Sequence, residues 1–124
     1  MGTRFRILAV FALSAVLLTA AGPRNTGTFS LDQTAPRFGD SATFTAVTDR
    51  TAHPYASVTC YQAGVRVLAD TKQLWAGAFN PQPFVLGYTN GWTSGGADCS
   101  AELFYFSSNF HHRTLATLTF SVLP

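Results

Sequence analysis

Short runs of alternating apolar and polar residues, separated by glycine, proline, aspartate and asparagine, occupy most of the chain after residue 27. The last two runs are the clearest; they cover 97–106 and 114–123, with 107–113 turning between them. Period-two alternation places every second side chain on one face of a β-strand, so these runs predict half-buried strands. Sustained helical periodicity does not occur in this part of the sequence. The pattern therefore predicts an all-β fold.

Further runs with the same pattern lie at 28–33, 41–47, 56–62, 65–69 and 84–88. In the second of these, alternation places Ala42, Phe44 and Ala46 inward. The irregular segment 70–83 is expected to connect two sheets. Together with the final hairpin, these runs predict about seven strands.

The Ala63-Gly64 pair between two of the runs predicts a hairpin with a two-residue turn, because glycine readily adopts a positive φ angle. In that register Cys60 lies opposite Val67, and Val58 lies opposite Ala69. These four side chains are therefore expected to share the core-facing side.

The N-terminus has the layout of an export signal. Arg4 and Arg6 precede an apolar run over 7–18, and small residues follow at 19–22. This order predicts a signal peptide over 1–22, cleaved to leave an exported domain over 28–123. A retained membrane anchor is the alternative, because the apolar run is close to the shortest that spans a bilayer.

Removal of that segment changes the charge balance. Without Arg4 and Arg6, six Lys and Arg residues remain against six Asp and Glu residues, and they are spread along the chain. A nucleic-acid-binding protein usually carries a basic patch that neutralises phosphates. Nucleic acid is therefore not an expected partner, and no membrane contact is expected beyond the signal segment.

Cys60 and Cys99 are the only cysteines, 39 residues apart. Thiols of exported proteins usually pair, and closing a loop of this length contributes about 4 kcal/mol in the chain-entropy model. Two free thiols are the alternative. A metal-binding pair is less favoured, because structural zinc takes four ligands.

Roughly seven short strands in about 95 residues are typical of an immunoglobulin-like sandwich. Three segments carry a closer resemblance: Phe38-Gly39-Asp40 before a strand, Val58-Thr59-Cys60-Tyr61-Gln62 with Gly64 after it, and Gly96-Ala97-Asp98-Cys99 before the final hairpin. The chain resembles small secreted bacterial proteins with an immunoglobulin-like domain. The resemblance covers 28–123 and implies a β-sandwich fold, but it implies little about function.

The cysteine positions depart from the antibody pattern. Counting strands, Cys60 falls on the third and Cys99 on the sixth, which are neighbours in one sheet of such a fold. The disulfide is therefore expected within that sheet, whereas antibody domains join the second strand to the sixth across the core.

No group of residues has a recognisable catalytic or metal-binding pattern. Of the histidines, His53 is isolated, and the adjacent His111 and His112 would point to opposite faces of an extended chain. Asp98 and Glu102 lie on the outward face of one strand, about 13 Å apart, which is too far for a glycosidase pair. The sequence therefore predicts no enzyme, no metal site and no cofactor.

Aromatic residues are the chemical class best suited to recognition in this chain. Phe44, Tyr105 and Phe120 are assigned to the core. The aromatic residues that fall in loops or on the outward side of a strand are Trp75, Tyr88, Trp92, Phe104, Phe106 and Phe110. Exposed aromatic residues can recognise sugars or proteins. Alternatively, these side chains cover the ends of the fold.

These observations predict a non-enzymatic exported module for binding, adhesion or surface structure, with an extracellular protein or glycan as its partner. In one version the outward sheet face with Phe104 and Phe106, or the Trp92 loop, contacts the partner. A carbohydrate-binding module, with Trp75 and Trp92 stacked on sugar rings, is an alternative, and a viral surface decoration protein is another. A small hydrolase would need a pocket that brings a histidine beside a serine and an acid.

Overall fold

The computed structural model describes residues 27–74 and 82–124, and within them every regular element is a β-strand. In chain order the strands are β1 (Gly27–Leu31), β2 (Ser41–Ala42), β3 (Phe44–Thr48), β4 (Tyr55–Gln62), β5 (Val65–Gln73), β6 (Phe84–Val85), β7 (Ala97–Phe106) and β8 (His112–Val122). The predicted all-β class is confirmed. The predicted signal segment, 1–22, lies outside the described residues. In the described part of the chain, no helix is long and apolar enough to cross a membrane.

The strands form three antiparallel sheets. One has four strands in the order β5-β4-β7-β8, and the two smaller sheets pair β1 with β3 and β2 with β6. The predicted strand 41–47 is divided at Thr43, whose backbone N–H donates to the Gln33 side-chain oxygen at 2.9 Å. The Gln33 amide nitrogen also donates to the Thr43 hydroxyl. The backbone N–H of Thr43 therefore keeps a hydrogen-bond acceptor at the point where the chain passes from one small sheet to the other.

The core lies between the small sheets and the inner face of the four-stranded sheet. Phe44 of β3 contacts Phe84 of β6 and Phe120 of β8, with ring centroids 5.6 and 6.1 Å apart. Phe29 of β1 stacks on Phe44 at 4.8 Å. Phe44 therefore joins side chains of all three sheets.

The inward side predicted for 41–47 is confirmed, because Ala42, Phe44 and Ala46 are all buried. Tyr105 and Phe120, also assigned to the core, are partly buried and pack against its edge. The predicted strands at 65–69 and 84–88 have different lengths in the structure: β5 continues to Gln73, and β6 ends at Val85.

The β4–β5 hairpin has the predicted two-residue turn but a different register beyond it. Cys60 pairs with Leu68, and Val67 is an extra residue on β5. Such a β-bulge turns two consecutive side chains to the same side, so both Val67 and Leu68 are buried. The predicted pairs of Cys60 with Val67 and of Val58 with Ala69 are therefore wrong, and Ala69 is exposed.

A second bulge lies in the β7–β8 hairpin. Leu103 pairs with Ala116, whereas Phe104 pairs with Thr114, so Leu115 is an extra residue on β8. Leu115 and Ala116 are both buried. The final hairpin is thus confirmed, with an irregularity that simple alternation does not predict.

The Cys60–Cys99 disulfide is present and joins directly opposite residues of β4 and β7. The two Cα atoms are 4.1 Å apart, the short spacing of a pair without mutual backbone hydrogen bonds. The bridge therefore lies within one sheet, as the strand count predicted. Both cysteines are buried on the inner face.

Replacing both cysteines with alanine removes this cross-link. We expect the free energy of unfolding to fall by about 2–5 kcal/mol, because the unfolded chain regains the entropy of the closed loop. Urea denaturation of the oxidised protein and the double variant measures the difference. Equal urea midpoints at equal slopes would contradict the expectation.

Candidate functional site

The two faces of the four-stranded sheet differ clearly in burial. The even-numbered residues from Ala56 to Cys60 on β4 and the odd-numbered residues from Ala97 to Leu103 on β7 are buried. The alternate residues point away from the core. They form the outer face of the sheet and are half-buried or exposed up to Glu102.

Four rings from three adjacent strands meet at one end of this outer face. Phe104 of β7 lies between Tyr55 of β4 and His112 of β8, at centroid distances of 5.4 and 4.3 Å and with 17° between planes in both cases. Phe106 approaches all three rings nearly edge-on, at 5.6 to 5.8 Å. Both arrangements are favourable for aromatic pairs. We call these four residues the aromatic cluster.

The cluster gives its two phenylalanines different roles. Phe104 is only 6% exposed because rings cover it on both sides, whereas Phe106 is 48% exposed. The prediction that Phe104 presents an exposed ring is therefore wrong, although its position on the outer face is correct. Phe106 remains accessible to a partner.

A carboxylate is held beside the cluster. His112 Nε2 lies 2.7 Å from Glu102 Oε1, and the Thr114 hydroxyl donates to Glu102 Oε2 at 3.0 Å. Both carboxylate oxygens are thus engaged by side chains of β8. Glu102 thus fixes the orientation of the imidazole that stacks on Phe104, while its own side chain remains 30% exposed.

Small hydroxyl side chains cover the outer face beyond Glu102. An open groove of about 350 Å³ is lined by Ser57, Thr59, Ser100, Ala101, Glu102, Thr117, Leu118 and Thr119. A depression of about 560 Å³ continues from it and is lined by Tyr61, Asp98, Cys99, Ser100, Thr119, Phe120 and Ser121. The two share Ser100 and Thr119. We call this connected surface the hydroxyl groove.

Trp92 does not belong to this surface. It is fully buried, packs edge-on against Phe38 at 5.8 Å, and donates its indole N–H to the Gly95 carbonyl at 2.9 Å. Because the loop satisfies the only polar atom of the indole, the ring can be buried without losing a hydrogen bond. The prediction of an exposed Trp92 is therefore wrong. The other predicted tryptophan, Trp75, lies outside the described residues.

Tyr88 and Phe110 are exposed, as predicted, with exposed fractions of 73% and 88%. Both have positive φ angles of nearly 60°. The Tyr88 ring contacts Phe38 at 4.9 Å. Among the ring contacts of the described residues, none joins Tyr88 or Phe110 to the aromatic cluster. Those of the six predicted surface aromatics that the structure describes therefore do not form one site.

The structure adds Tyr55 and His112 to the candidate site. Tyr55 precedes the predicted run 56–62 by one residue, and extending that run would have placed it on the outward side. From the sequence, His112 is a candidate only for a metal site or for the histidine of a hydrolase. Within 27–74 and 82–124, no group of three or more His, Cys, Asp or Glu side chains could hold a metal ion.

Comparisons of the chain with protein-family models, with curated proteins and with solved structures find no match. The candidate binding surface is therefore defined by the described residues alone. Among these, the aromatic cluster and the hydroxyl groove share one face and meet at Glu102, so we treat them as one candidate binding surface.

The different burial of the two phenylalanines predicts different effects on stability. Phe104→Ala should lower the free energy of unfolding by about 2–4 kcal/mol, since it removes a ring stacked on two neighbours. Phe106→Ala should lower it by less than about 1.5 kcal/mol, because its ring is already half in water. Parallel urea denaturation curves compare the variants. A larger loss for Phe106→Ala would contradict this division of roles.

Proposed function

We propose that this chain is an exported, non-enzymatic binding module with an immunoglobulin-like β-sandwich fold. It contacts its partner through the outer face of the β5-β4-β7-β8 sheet, with the aromatic cluster as the apolar anchor of the contact. The observation that carries the proposal is the half-exposed ring of Phe106, held against three other rings on adjacent strands.

The strand order supports the immunoglobulin-like assignment. An immunoglobulin sheet with an added C′ strand has the order C′-C-F-G. Taken along the chain, β4, β5, β7 and β8 correspond to C, C′, F and G, so the sheet order β5-β4-β7-β8 is the same. In the same scheme β1, β2 with β3, and β6 take the places of strands A, B and E. This correspondence also agrees with the resemblance to small secreted bacterial proteins.

The disulfide supports the proposed location. Disulfides persist in oxidising compartments and are rare in the cytosol, so the Cys60–Cys99 bridge is compatible with export. The basic, apolar and small-residue order of 1–22 points the same way. We therefore place the working module outside the cytoplasm.

The surface itself has the properties of a recognition site. Aromatic residues lose little conformational entropy on binding and are enriched among the residues that dominate binding energy. Phe106 lies on a strand rather than a loop, and the Glu102–His112 pair, whose Oε1 and Nε2 atoms are 2.7 Å apart, supplies polar groups beside it. The buried Trp92 cannot serve this role without opening its loop, so the geometry favours the sheet face over the Trp92 loop.

Phe106→Ser tests the proposal directly. The oxidised protein, labelled with a fluorophore, is incubated with intact cells of the exporting organism and with their extracellular matrix, and the bound fraction is measured by titration. We expect binding to weaken at least tenfold, because the variant removes the accessible ring and leaves the strand in place.

Val47→Ser is the matched control. Val47 is 60% exposed on β3, in a small sheet rather than in the four-stranded sheet, so this variant also removes exposed apolar surface. It should change binding by less than twofold. Equal losses in both variants would indicate nonspecific apolar adsorption, and retained binding by Phe106→Ser would contradict a sheet-face site.

A further inference from the structure

The hydroxyl groove has a uniform chemistry that the aromatic cluster alone does not explain. Six small hydroxyl side chains line it: Ser57, Thr59, Ser100, Thr117, Thr119 and Ser121. Each hydroxyl can both donate and accept a hydrogen bond. None of the six has a side-chain hydrogen bond to the described protein, so all remain available to a ligand.

The groove is elongated and has aromatic rings at both ends. Tyr61, which is 41% exposed, lines one end. Beyond the other end lies the aromatic cluster, with Tyr55 two residues from Ser57 on β4 and Phe106 four residues from Glu102 on β7. Tyr55 and Tyr61 are six residues apart on β4, which corresponds to about 20 Å along the strand. A surface of this shape suits a linear chain of several units better than a single small molecule.

The position of the apolar groups argues against a protein partner in the groove. Protein interfaces usually have aromatic or arginine anchors near their centre, with polar groups around them. Here the order is reversed, because outward side chains between Glu102 and Tyr61 are small hydroxyls and the rings lie at the ends. Sugar rings offer the complementary chemistry, with hydroxyls around the ring and C–H groups on a face that can stack on an aromatic side chain.

The charges of the groove restrict the sugar class further. Its only ionisable side chains besides Tyr61 are Glu102 and Asp98, and no lysine or arginine lines it. A uronic acid or a sulfated sugar would therefore meet carboxylates without a lysine or arginine in the lining to compensate their charge. A neutral sugar meets no such repulsion.

We infer that the hydroxyl groove binds a linear neutral oligosaccharide, with hydroxyl contacts along β4, β7 and β8 and a terminal sugar ring against Phe106. This inference rests on the proposed sheet-face function and names its ligand class. It differs from stacking on Trp75 and Trp92, because it uses neither tryptophan.

Isothermal titration calorimetry of the oxidised exported protein tests the inference. The neutral probes are cellotetraose, chitotetraose and maltotetraose, and the acidic probe is tetragalacturonate. We expect at least one neutral probe to bind at least tenfold more tightly than the acidic one. Failure of all three neutral probes to bind at millimolar concentration, or tighter binding of the acidic probe, overturns the inference.

The double variant Thr117→Val/Thr119→Val locates the binding site. It removes two groove hydroxyls while keeping the side-chain shape and the β-branched character, and it should weaken binding of the neutral probe at least tenfold. Thr71→Val is the matched control, because Thr71 is exposed, pairs with Ser57 from β5 and does not line the groove. It should change the affinity less than twofold, and equal effects of both variants would overturn the assignment to the groove.

The two proposals fail in distinguishable ways. If Phe106→Ser abolishes cell binding while no neutral probe binds, the sheet face is a binding site for another class of partner and the glycan inference is wrong. If a neutral probe binds but Phe106→Ser leaves cell binding intact, the groove binds sugar without serving the proposed contact. Circular dichroism of each variant confirms that the fold is retained.

Discussion

The candidate surface depends on the register between β4 and β7, which the Cys60–Cys99 bridge fixes at the centre of the sheet. A slip of one residue would turn every side chain of one strand to the opposite face. The disulfide forbids such a slip once it has formed. Tyr55 lies five residues before Cys60 on β4, and Phe104 lies five residues after Cys99 on β7, so the same antiparallel register places these two residues opposite each other. A covalent bond on the inner face thereby positions two rings on the outer face.

Each edge strand of the sheet, β5 and β8, carries one bulge beside the central pair β4 and β7. Without the bulge in β8, the register from Leu103–Ala116 onward would place Leu115 opposite Phe104, with an apolar side chain on the outer face. The extra residue turns Leu115 into the core and brings Thr114 opposite Phe104 instead. Thr114 can then donate to Glu102, and His112 can stack on Phe104. One irregularity thus serves the core and the surface together.

Local sequence patterns were sufficient for the fold class and the two hairpins, because these depend on alternation and turn residues. The expectation of a disulfide within one sheet also used the strand arrangement of the fold that the chain resembles. The bulges were not predictable in this way, since Val67-Leu68 and Leu115-Ala116 read as ordinary alternation with either residue inward. Trp92 can be buried because its indole N–H donates to the Gly95 carbonyl, and the loop conformation that brings these two groups together cannot be predicted from alternation. The cluster needed a comparison across strands: pairing Cys60 with Cys99 already implies that Tyr55 faces Phe104.

Two phenylalanines on the same face of one strand differ in burial because of what lies beside each. Phe104 has a ring on both sides, while Phe106 has rings only along its edges and keeps its remaining surface in water. The Glu102–His112 pair fixes the ring that completes the stack, so the support for Phe106 is present before any partner arrives. The proposed contact would then require little further ordering of side chains, which reduces the entropic cost of association. The buried stack is therefore the structural support on which the proposed role of Phe106 depends.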